Sequence, residues 1–265
     1  MKNLLLIVLL STSVLLYSQT NFNLEIRHTL DDSNPVMNTI ETNSETNDFK
    51  ITRLQYYISR ISIIHDGNQI TSIDDSVAVL LNVNNELIST IPLGEQNISS
   101  VEGVKFHIGV YSPVNNEDPS LWPMSHPFAP QNPSMHWGWA SGYRFVAFEG
   151  VSGMNFSQLW QFHGLGNVNY FEIEPVMTSS VDVSGTETIK ISANYVDALS
   201  GIVISQGLIS HGTTGEAVTV LENFRDFVFG LSGVLSVENE EELLNFSILT
   251  NPSIEGVTSI FMDLN

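Results

Sequence analysis

The chain has 265 residues and carries 9 lysine and arginine side chains against 29 aspartate and glutamate side chains, a formal net charge of −20. Such an acidic surface repels nucleic-acid phosphates, which excludes nucleic acid as an expected partner. The sequence contains no cysteine. This excludes disulfide bonds and thiolate metal sites, so stability has to come from a hydrophobic core.

The amino terminus has the pattern of a secretory signal peptide. Lys2 precedes an unbroken apolar run over residues 4–10, and small residues follow near position 18. The run is too short to span a bilayer, and no cysteine follows it that could accept a lipid. We therefore predict a signal peptide over residues 1–18 and a mature domain over residues 19–265, without a membrane anchor, in the periplasm or outside the cell.

Strand signals dominate the mature chain. Residues 51–64 alternate β-branched and aromatic residues with polar ones, and Asp66-Gly67-Asn68 predicts a hairpin turn after them. Turn residues separate the other apolar segments at the spacing expected for a single all-β domain, a β-sandwich or barrel-like fold. Further strands are predicted over residues 77–83, 101–110, 144–149, 169–176, 187–196, 243–249 and 257–262.

One short helix and one long loop complete the predicted elements. Thr213 and Thr214 are candidate caps for a helix with Glu216 in its first turn. Its apolar face is expected to consist of Ala217, Val220, Leu221, Phe224, Phe227 and Val228. Residues 38–48 are rich in Asn, Thr and Glu and predict a long solvated loop between strands.

The segment over residues 115–166 is long, has little regular pattern and is dense in chemically versatile side chains. It contains all four tryptophans, three of the seven histidines and three of the seven methionines. Long loops in a compact domain are usually functional, whereas any single tryptophan here could simply cover one end of a sandwich. The segment contains Trp122, Met124, His126, Met135, His136, Trp137, Trp139, Met154, Trp160 and His163.

Histidine is the natural metal ligand in a chain without thiols. Imidazole suits copper, zinc and nickel, and a methionine thioether adds a preference for reduced copper. His126 and His163 are the leading pair, because prolines stiffen the loop around His126 and glycines follow His163. His28 and His211 could approach from distant segments. His65 is expected to be exposed beside a turn, and His107 to lie within a strand.

The residues leave several alternatives open. Exposed tryptophan and tyrosine rings could instead stack on sugars, as in a secreted carbohydrate-binding β-sandwich. A hydrolase could use Glu149 with Glu172 or Asp118, although no nucleophile elbow or phosphate loop supports it. Residues 115–118 (NNED) could hold calcium or form an ordinary solvated turn. We expect a binding protein and not an enzyme.

Three sequence stretches resemble the MbnP-like family of copper-associated periplasmic proteins. They are residues 135–145 (MHWGWASGYRF) with Glu149-Gly150 shortly after them, residues 162–166 (FHGLG) and the early strand over residues 53–59 (RLQYYIS). The segments around His28 and His211 are also similar, so the resemblance spans most of the mature chain.

The resemblance implies a β-rich fold that binds copper and a tryptophan oxidised to kynurenine by a di-haem enzyme related to MauG. By matching position, Trp137 is the first candidate for this modification and Trp139 the second. The resemblance implies His126 and His163 as ligands. His136 stands where the family pattern suggests an aromatic residue, and it could add a ligand. The full set of candidate metal ligands is His126, His163, His28, Met135 and His136.

Overall fold

The computed structural model describes residues 19–31, 35–74, 77–84 and 86–230. The signal peptide predicted for residues 1–18 and the strands predicted for residues 243–249 and 257–262 lie outside the described residues. All described residues belong to one compact unit.

Strands are the main regular elements of the described chain, as its alternating sequence predicts. Short 3-10 helices lie between them at Val114–Asn116, Pro119–Leu121, Met154–Phe156, Asn167–Asn169 and Asp197–Leu199. One α-helix, α1 (Glu216–Asn223), continues into a π-helical turn over Phe224–Val228. The strands are β1 (Thr20–Thr29), β2 (Glu41–Thr42), β3 (Asp48–His65), β4 (Gln69–Ser72), β5 (Val79–Asn82), β6 (Ile88–Gln96), β7 (Val101–Ile108), β8 (Arg144–Ser152), β9 (Gln158–Leu165), β10 (Phe171–Ile173), β11 (Thr178–Val181), β12 (Glu187–Asn194), β13 (Leu208–Gly212) and β14 (Phe229–Gly230).

The strands form two sheets. The smaller sheet has the order β11-β12-β1-β6, and β14 also pairs with β12. The larger sheet has the order β10-β7-β3-β8-β9-β13, and the long strand β3 also pairs with β2, β4 and β5. Most neighbours are antiparallel, but β13 runs parallel to β9 and β1 runs parallel to β12.

A single hydrophobic core joins the two sheets. Phe22, Leu24 and Ile26 alternate with more exposed residues along β1, so that one face of the smaller sheet is buried. The larger sheet contributes Tyr56, whose hydroxyl oxygen lies 2.9 Å from that of Tyr195 beyond the end of β12. Side chains of both sheets belong to the same buried cluster. The predicted all-β sandwich or barrel-like fold is confirmed.

Several predicted elements have different bounds or surroundings in the structure. The loop predicted for residues 38–48 contains β2, and Asn43 within it is buried and donates hydrogen bonds to the carbonyls of Leu199 and Ile202. His65 was predicted to be exposed but is buried, with its ring nitrogens bonded to Asp66 and Thr71. Both differences arise because polar side chains found internal partners.

The predicted helix is present, but its cap is different. Gly215 occupies the N-cap position in place of Thr213 or Thr214, and the Ser210 hydroxyl accepts the free backbone N–H of Ala217 at 3.1 Å. Phe227 was assigned to the apolar face but is 58% exposed. It lies in the π-helical turn, where the helical period that placed it on that face no longer holds.

Helix α1 packs directly against the backbone of β9 at Gly164. A Cβ atom at this position would lie 2.6 Å from Leu221 Cδ1 and 2.7 Å from the carbonyl oxygen of Ala217. We expect Gly164→Ala to lower the free energy of unfolding by about 1–3 kcal/mol, because the helix would have to move away. Gly230→Ala is the matched control, since a Cβ there would meet no atom within 4 Å. Equal denaturation midpoints for the two variants would contradict this packing argument.

Candidate functional site

Four neighbouring strands of the larger sheet carry a row of polar side chains. Arg53 on β3 is paired in register with Glu149 on β8, and His163 on β9 is paired with His211 on β13. Between them, β8 and β9 are in register at Ala147 and His163. Glu149 itself is opposite Gln161, so the row steps diagonally by two residues between β8 and β9 and ends at the edge strand β13.

This row lies on the face of the sheet that points away from the core. On three of the strands, a direct neighbour of the polar residue is buried in the core. These neighbours are Leu54 after Arg53, Phe148 before Glu149 and Phe162 before His163. Because successive side chains of a strand point to opposite faces, the polar row occupies the other face. Part of the segment over residues 115–143 covers this face.

Glu149 is the centre of the row. Its Oε1 accepts hydrogen bonds from Arg53 Nη1 at 2.7 Å and from His163 Nε2 at 2.9 Å. Gln161 Nε2 lies 3.4 Å from the other carboxylate oxygen. The hydrogen bond from His163 is the main cause that lowers the pKa of Glu149; the charge of Arg53 acts in the same direction, and desolvation opposes both. A charged carboxylate thus holds one imidazole of the site.

His163 and His211 form a stacked pair. Their ring centroids are 4.0 Å apart and their planes differ by 10°. Nδ1 of His163 is buried and has no hydrogen-bond partner among the described residues. His211 is exposed, but the neighbouring ring covers one of its faces, and desolvation lowers its pKa, with smaller contributions from nearby His163 and Arg144. A lower pKa leaves more of the His211 imidazole neutral near pH 7, as metal ligation requires.

Trp137 covers the imidazole pair. Its ring centroid lies 5.0 Å from that of His211 and 5.8 Å from that of His163, edge-on in both cases. The Arg144 guanidinium lies over the Trp137 ring, 4.7 Å from the centroid. The tryptophan side chain nevertheless remains 40% exposed. An indole has an N–H donor and no lone pair for a metal, so the intact ring can shield the site but cannot ligate it through nitrogen.

A short hairpin holds Trp137 in place. His136 and Tyr143 form an antiparallel bridge, and the N–H of Trp137 donates to the carbonyl of Gly142 at 2.8 Å. Gly142 has a φ of +72°, and a Cβ there would lie 2.5 Å from the carbonyl oxygen of Asn115. A larger residue would thus displace the hairpin from the loop beneath it.

Residues 115–118, which could have formed a calcium site, instead fix this loop internally. The Asn115 side chain accepts from the Tyr143 N–H and donates to Asn167, both at 2.8 Å. Asn116 donates to the Trp139 carbonyl, and Asp118 accepts from the Ser120 N–H at 2.9 Å. These internal bonds favour an ordinary turn over a calcium site, and Asn115 within it is buried and not solvated. Within the described ranges, no group of three or more His, Asp and Glu residues is arranged to hold a metal ion.

Of the predicted site residues, the structure brings together His163 and Trp137, whereas Met135 lies beside Arg53. Met135 is fully buried, and its sulfur accepts a hydrogen bond from Arg53 Nη2 at 3.5 Å, so it contacts the polar row and not the imidazole pair. Trp139 is 68% exposed and lies beyond the turn at Gly138.

The other predicted ligands have different surroundings. His126 stacks on Trp122 at a centroid distance of 4.1 Å, and its Nδ1 accepts the Phe128 N–H. His136 packs edge-on against Tyr143, on the opposite side of the hairpin strand from Trp137. Desolvation lowers the pKa of both His126 and His136. No ring contact or hydrogen bond between described residues links either of them to His163.

His28 has its own buried network. Its Nδ1 is 2.7 Å from the Tyr195 hydroxyl and its Nε2 is 2.8 Å from the Ser89 hydroxyl, so both nitrogens are occupied. Burial lowers its pKa to about 4.

The structure adds two residues to the predicted site. His211 had no assigned position, because only the parallel pairing of β13 with β9 brings it to His163. Glu149 belonged to the stretch that resembles the MbnP-like family and had been considered as a hydrolytic carboxylate, whereas here it anchors His163. Of the two other suggested carboxylates, Glu172 pairs with Lys105 on β7 at 3.6 Å, and Asp118 accepts the Ser120 N–H.

The donor set fits a metal that prefers imidazole. Two imidazoles lie side by side, one of them with an unpartnered buried nitrogen, and a charged carboxylate holds that same ring from its other nitrogen. Metal-bound histidines usually donate their second ring N–H to a carboxylate or carbonyl in this way. Copper, zinc and nickel all accept such ligands.

The α-helix of the described chain has only eight residues, and no helix in that part of the chain could cross a bilayer.

A search of curated proteins gives no match. Among solved structures, MbnP from Methylosinus trichosporium has a similar fold, with a TM-score of 0.51 and 15% sequence identity over 74% of this chain and 82% of that one. The family model described as MbnP matches residues 19–214. The predicted resemblance is therefore confirmed, and the chain belongs to the MbnP family.

Proposed function

We propose that this protein binds copper through His163 and His211, beside Trp137, and acts as a binding protein rather than an enzyme. The observation that carries the proposal is the stacked imidazole pair, in which Nδ1 of His163 has no partner among the described residues. Membership of the MbnP family favours copper among the metals that imidazole ligates.

The rest of the chain limits which other groups could take part. There is no cysteine, and the Met135 sulfur is already bonded to Arg53. Imidazole nitrogens are therefore the main donors at this place. We further propose that the predicted signal peptide directs the protein to the periplasm or the exterior, so that it binds copper outside the cytoplasm.

We also propose that Trp137 is the tryptophan that a di-haem enzyme related to MauG converts to kynurenine. The conversion needs dioxygen as the oxidant: the indole C2–C3 bond is cleaved, each of the two carbons gains one oxygen atom, and hydrolysis then releases C2 as formate. The product has an aromatic amine beside a ketone. Because the Trp137 ring contacts both imidazoles, these new groups would form next to the metal ligands. Trp139 is the second candidate, and its exposed ring contacts neither of them in the structure.

Analysis of protein purified from its native host tests the function. We expect stoichiometric copper by elemental analysis, and a peptide containing residue 137 whose mass corresponds to kynurenine. Native protein that carries no copper and does not take it up when titrated would refute the copper proposal. Copper together with unmodified Trp137 would refute only the modification.

Trp137→Phe and Trp139→Phe form a matched pair of variants. In protein made together with its partner enzyme, we expect Trp137→Phe to weaken copper binding by about 10-fold or more, because the kynurenine groups cannot form and the cover is smaller. Trp139→Phe should leave the affinity unchanged, since that ring is exposed. A competition titration with a chromogenic copper chelator measures both. The reverse order of effects would assign the modification to Trp139.

The sugar-binding alternative has weaker support. Trp122 stacks on His126, Trp137 covers the imidazoles and Trp160 is fully buried, so only Trp139 offers a largely free ring. Sugar recognition normally uses exposed rings, so this arrangement gives little platform. Binding of soluble glycans by copper-free protein would favour the alternative.

A further inference from the structure

The hydrogen bonds at Glu149 fix the position of the proton on His163. An ionised carboxylate accepts hydrogen bonds and donates none. Arg53 Nη1 and His163 Nε2 both approach the same oxygen, Oε1, at 2.7 and 2.9 Å. The contact with His163 therefore requires a proton on Nε2, and the lone pair of the neutral ring is on Nδ1.

The surroundings of Nδ1 agree with this assignment. The atom is buried, and no donor or acceptor among the described residues bonds to it. A proton there would be a buried donor without an acceptor, which is unfavourable. A lone pair without a donor is also unsatisfied, but a metal ion satisfies it. Nδ1 is thus the atom of His163 that is available for coordination.

The carboxylate is itself held on its far side. Arg53 donates through Nε to Gln55 Oε1 at 2.8 Å and through Nη2 to the Met135 sulfur at 3.5 Å. The guanidinium therefore has partners in three directions and cannot turn without losing them. Because β3, β8 and β9 are adjacent in one sheet, the backbone fixes the spacing of Arg53, Glu149 and His163.

We propose that Glu149, anchored by Arg53, is a positioning residue that holds His163 as the Nε2–H tautomer and so presents Nδ1 to copper. This inference rests on the proposed function for its metal, but the tautomer itself is a property of the metal-free protein. Glu149 does not touch the metal in this scheme. It acts by restricting the rotation of the ring and the location of its proton, as carboxylates commonly do behind metal-bound histidines.

The test combines a tautomer measurement with a copper titration. Long-range ¹H–¹⁵N correlation spectra of the metal-free protein report which nitrogen of His163 carries the proton. We expect the Nε2–H pattern in the wild type and a mixture of tautomers in Glu149→Leu, which has a similar size but no acceptor. Glu149→Gln keeps one acceptor oxygen and should retain most of the Nε2–H form.

Copper affinity should follow the same order. We expect a loss of about 10- to 100-fold in Cu(I) affinity for Glu149→Leu and a smaller loss for Glu149→Gln. Addition of Cu(I), which is diamagnetic, should shift the Nδ1 resonance of His163 far more than that of Nε2. Glu172→Gln is the control, because Glu172 is an exposed carboxylate that pairs with Lys105 on the same sheet.

The outcomes separate this inference from the proposed function. An Nδ1–H tautomer in the wild type, or an unchanged tautomer and affinity in Glu149→Leu, would overturn the positioning role even if copper binds. Absence of copper binding in the wild type would refute the proposed function. It would also refute the role of Glu149 in presenting Nδ1 to copper, whichever tautomer His163 has. If Glu149→Leu does not fold, the spectra of the wild type decide: an Nδ1–H tautomer in the metal-free protein, or a Cu(I)-induced shift larger at Nε2 than at Nδ1, would overturn the role.

Discussion

Replacing His211 by alanine is expected to lower the affinity for Cu(I) by on the order of 100-fold or more, and His163→Ala should do the same. Each imidazole is one of only two side by side at the proposed centre, with ring centroids 4.0 Å apart. With one of them lost, the remaining ring and water would have to hold the ion. The measurement is a competition titration against a chromogenic Cu(I) chelator.

His126→Ala is the matched control for these variants. It removes the same imidazole from a loop where the ring stacks on Trp122 and Nδ1 already accepts a hydrogen bond. We expect its copper affinity to stay within about 3-fold of the wild type, which is within ordinary variation for a residue outside the ligand set. Thermal unfolding of His211→Ala should match that of the wild type, because His211 is exposed on an edge strand.

The comparison of the three variants decides the ligand set. The sequence alone made His126 and His163 the leading pair, whereas the structure brings His163 to His211. A strong effect of His126→Ala together with a weak effect of His211→Ala would restore the first pair and would require a rearrangement of the loop around Trp122. Strong effects of all three would mean that the loop closes over the centre when copper binds.

Local sequence pattern was enough to predict the all-β class and the central strand of the larger sheet. Residues 51–64 alternate regularly, and they form most of β3, the strand with which five others pair directly. The Asp66-Gly67-Asn68 turn leads into β4 as predicted, with His65 in register with Gln69. The strands that were not predicted are β1, β2, β6, β9, β11, β13 and β14. β13 has only five residues and includes Ser210, His211 and Gly212, which have little strand preference.

The arrangement of the site depends on pairing between distant segments, which a single sequence does not encode locally. His163 meets His211 only through the parallel register of β9 and β13. It meets Glu149 through the antiparallel register of β8 and β9. A shift of either strand by one residue would move an imidazole to the other face of the sheet. Candidate residues could therefore be named from the sequence, but their neighbours could not.

The choice between Trp137 and Trp139 illustrates the same limit at short range. In an extended segment, alternation would put both rings on one face. Here the chain turns immediately after Trp137, since the N–H groups of Ser141 and Gly142 both donate to the Gly138 carbonyl. Trp137 stays in the hairpin and covers the imidazoles, and Trp139 is directed to solvent. A glycine between the tryptophans made such a turn possible without specifying it.

The stability of the fold is expected to fall by about 3 kcal/mol between pH 7 and pH 4 on account of His28 alone. The His28 side chain is 1% exposed, and burial lowers its pKa from 6.5 to about 4. In the unfolded chain its pKa returns to about 6.5. Between these two values the unfolded state binds more protons than the folded state, so the free energy of unfolding rises with pH. The contribution is complete above about pH 6.5 and is lost as the pH falls towards 4.

The hydrogen bonds of His28 explain why protonation is unfavourable. The neutral ring donates from one nitrogen and accepts at the other, and its partners are the hydroxyls of Tyr195 and Ser89. The Tyr195 hydroxyl in turn lies 2.9 Å from that of Tyr56. A second ring proton would remove the acceptor and place a charge beside two buried tyrosines, without a carboxylate bonded to the ring.

Denaturant unfolding of the wild type and of His28→Gln at pH 7 and pH 4.5 measures this contribution. Glutamine does not titrate and can still donate to one hydroxyl and accept from the other. We expect the variant to be less stable than the wild type at pH 7 but to lose clearly less stability on acidification. The other histidines and the carboxylates titrate in the same way in both proteins. The difference between the two slopes of unfolding free energy against pH therefore isolates His28. His126→Gln, at a half-buried loop position, should follow the wild-type slope closely. Parallel slopes for the wild type and His28→Gln would show that His28 titrates near its ordinary pKa and that its burial does not govern acid unfolding.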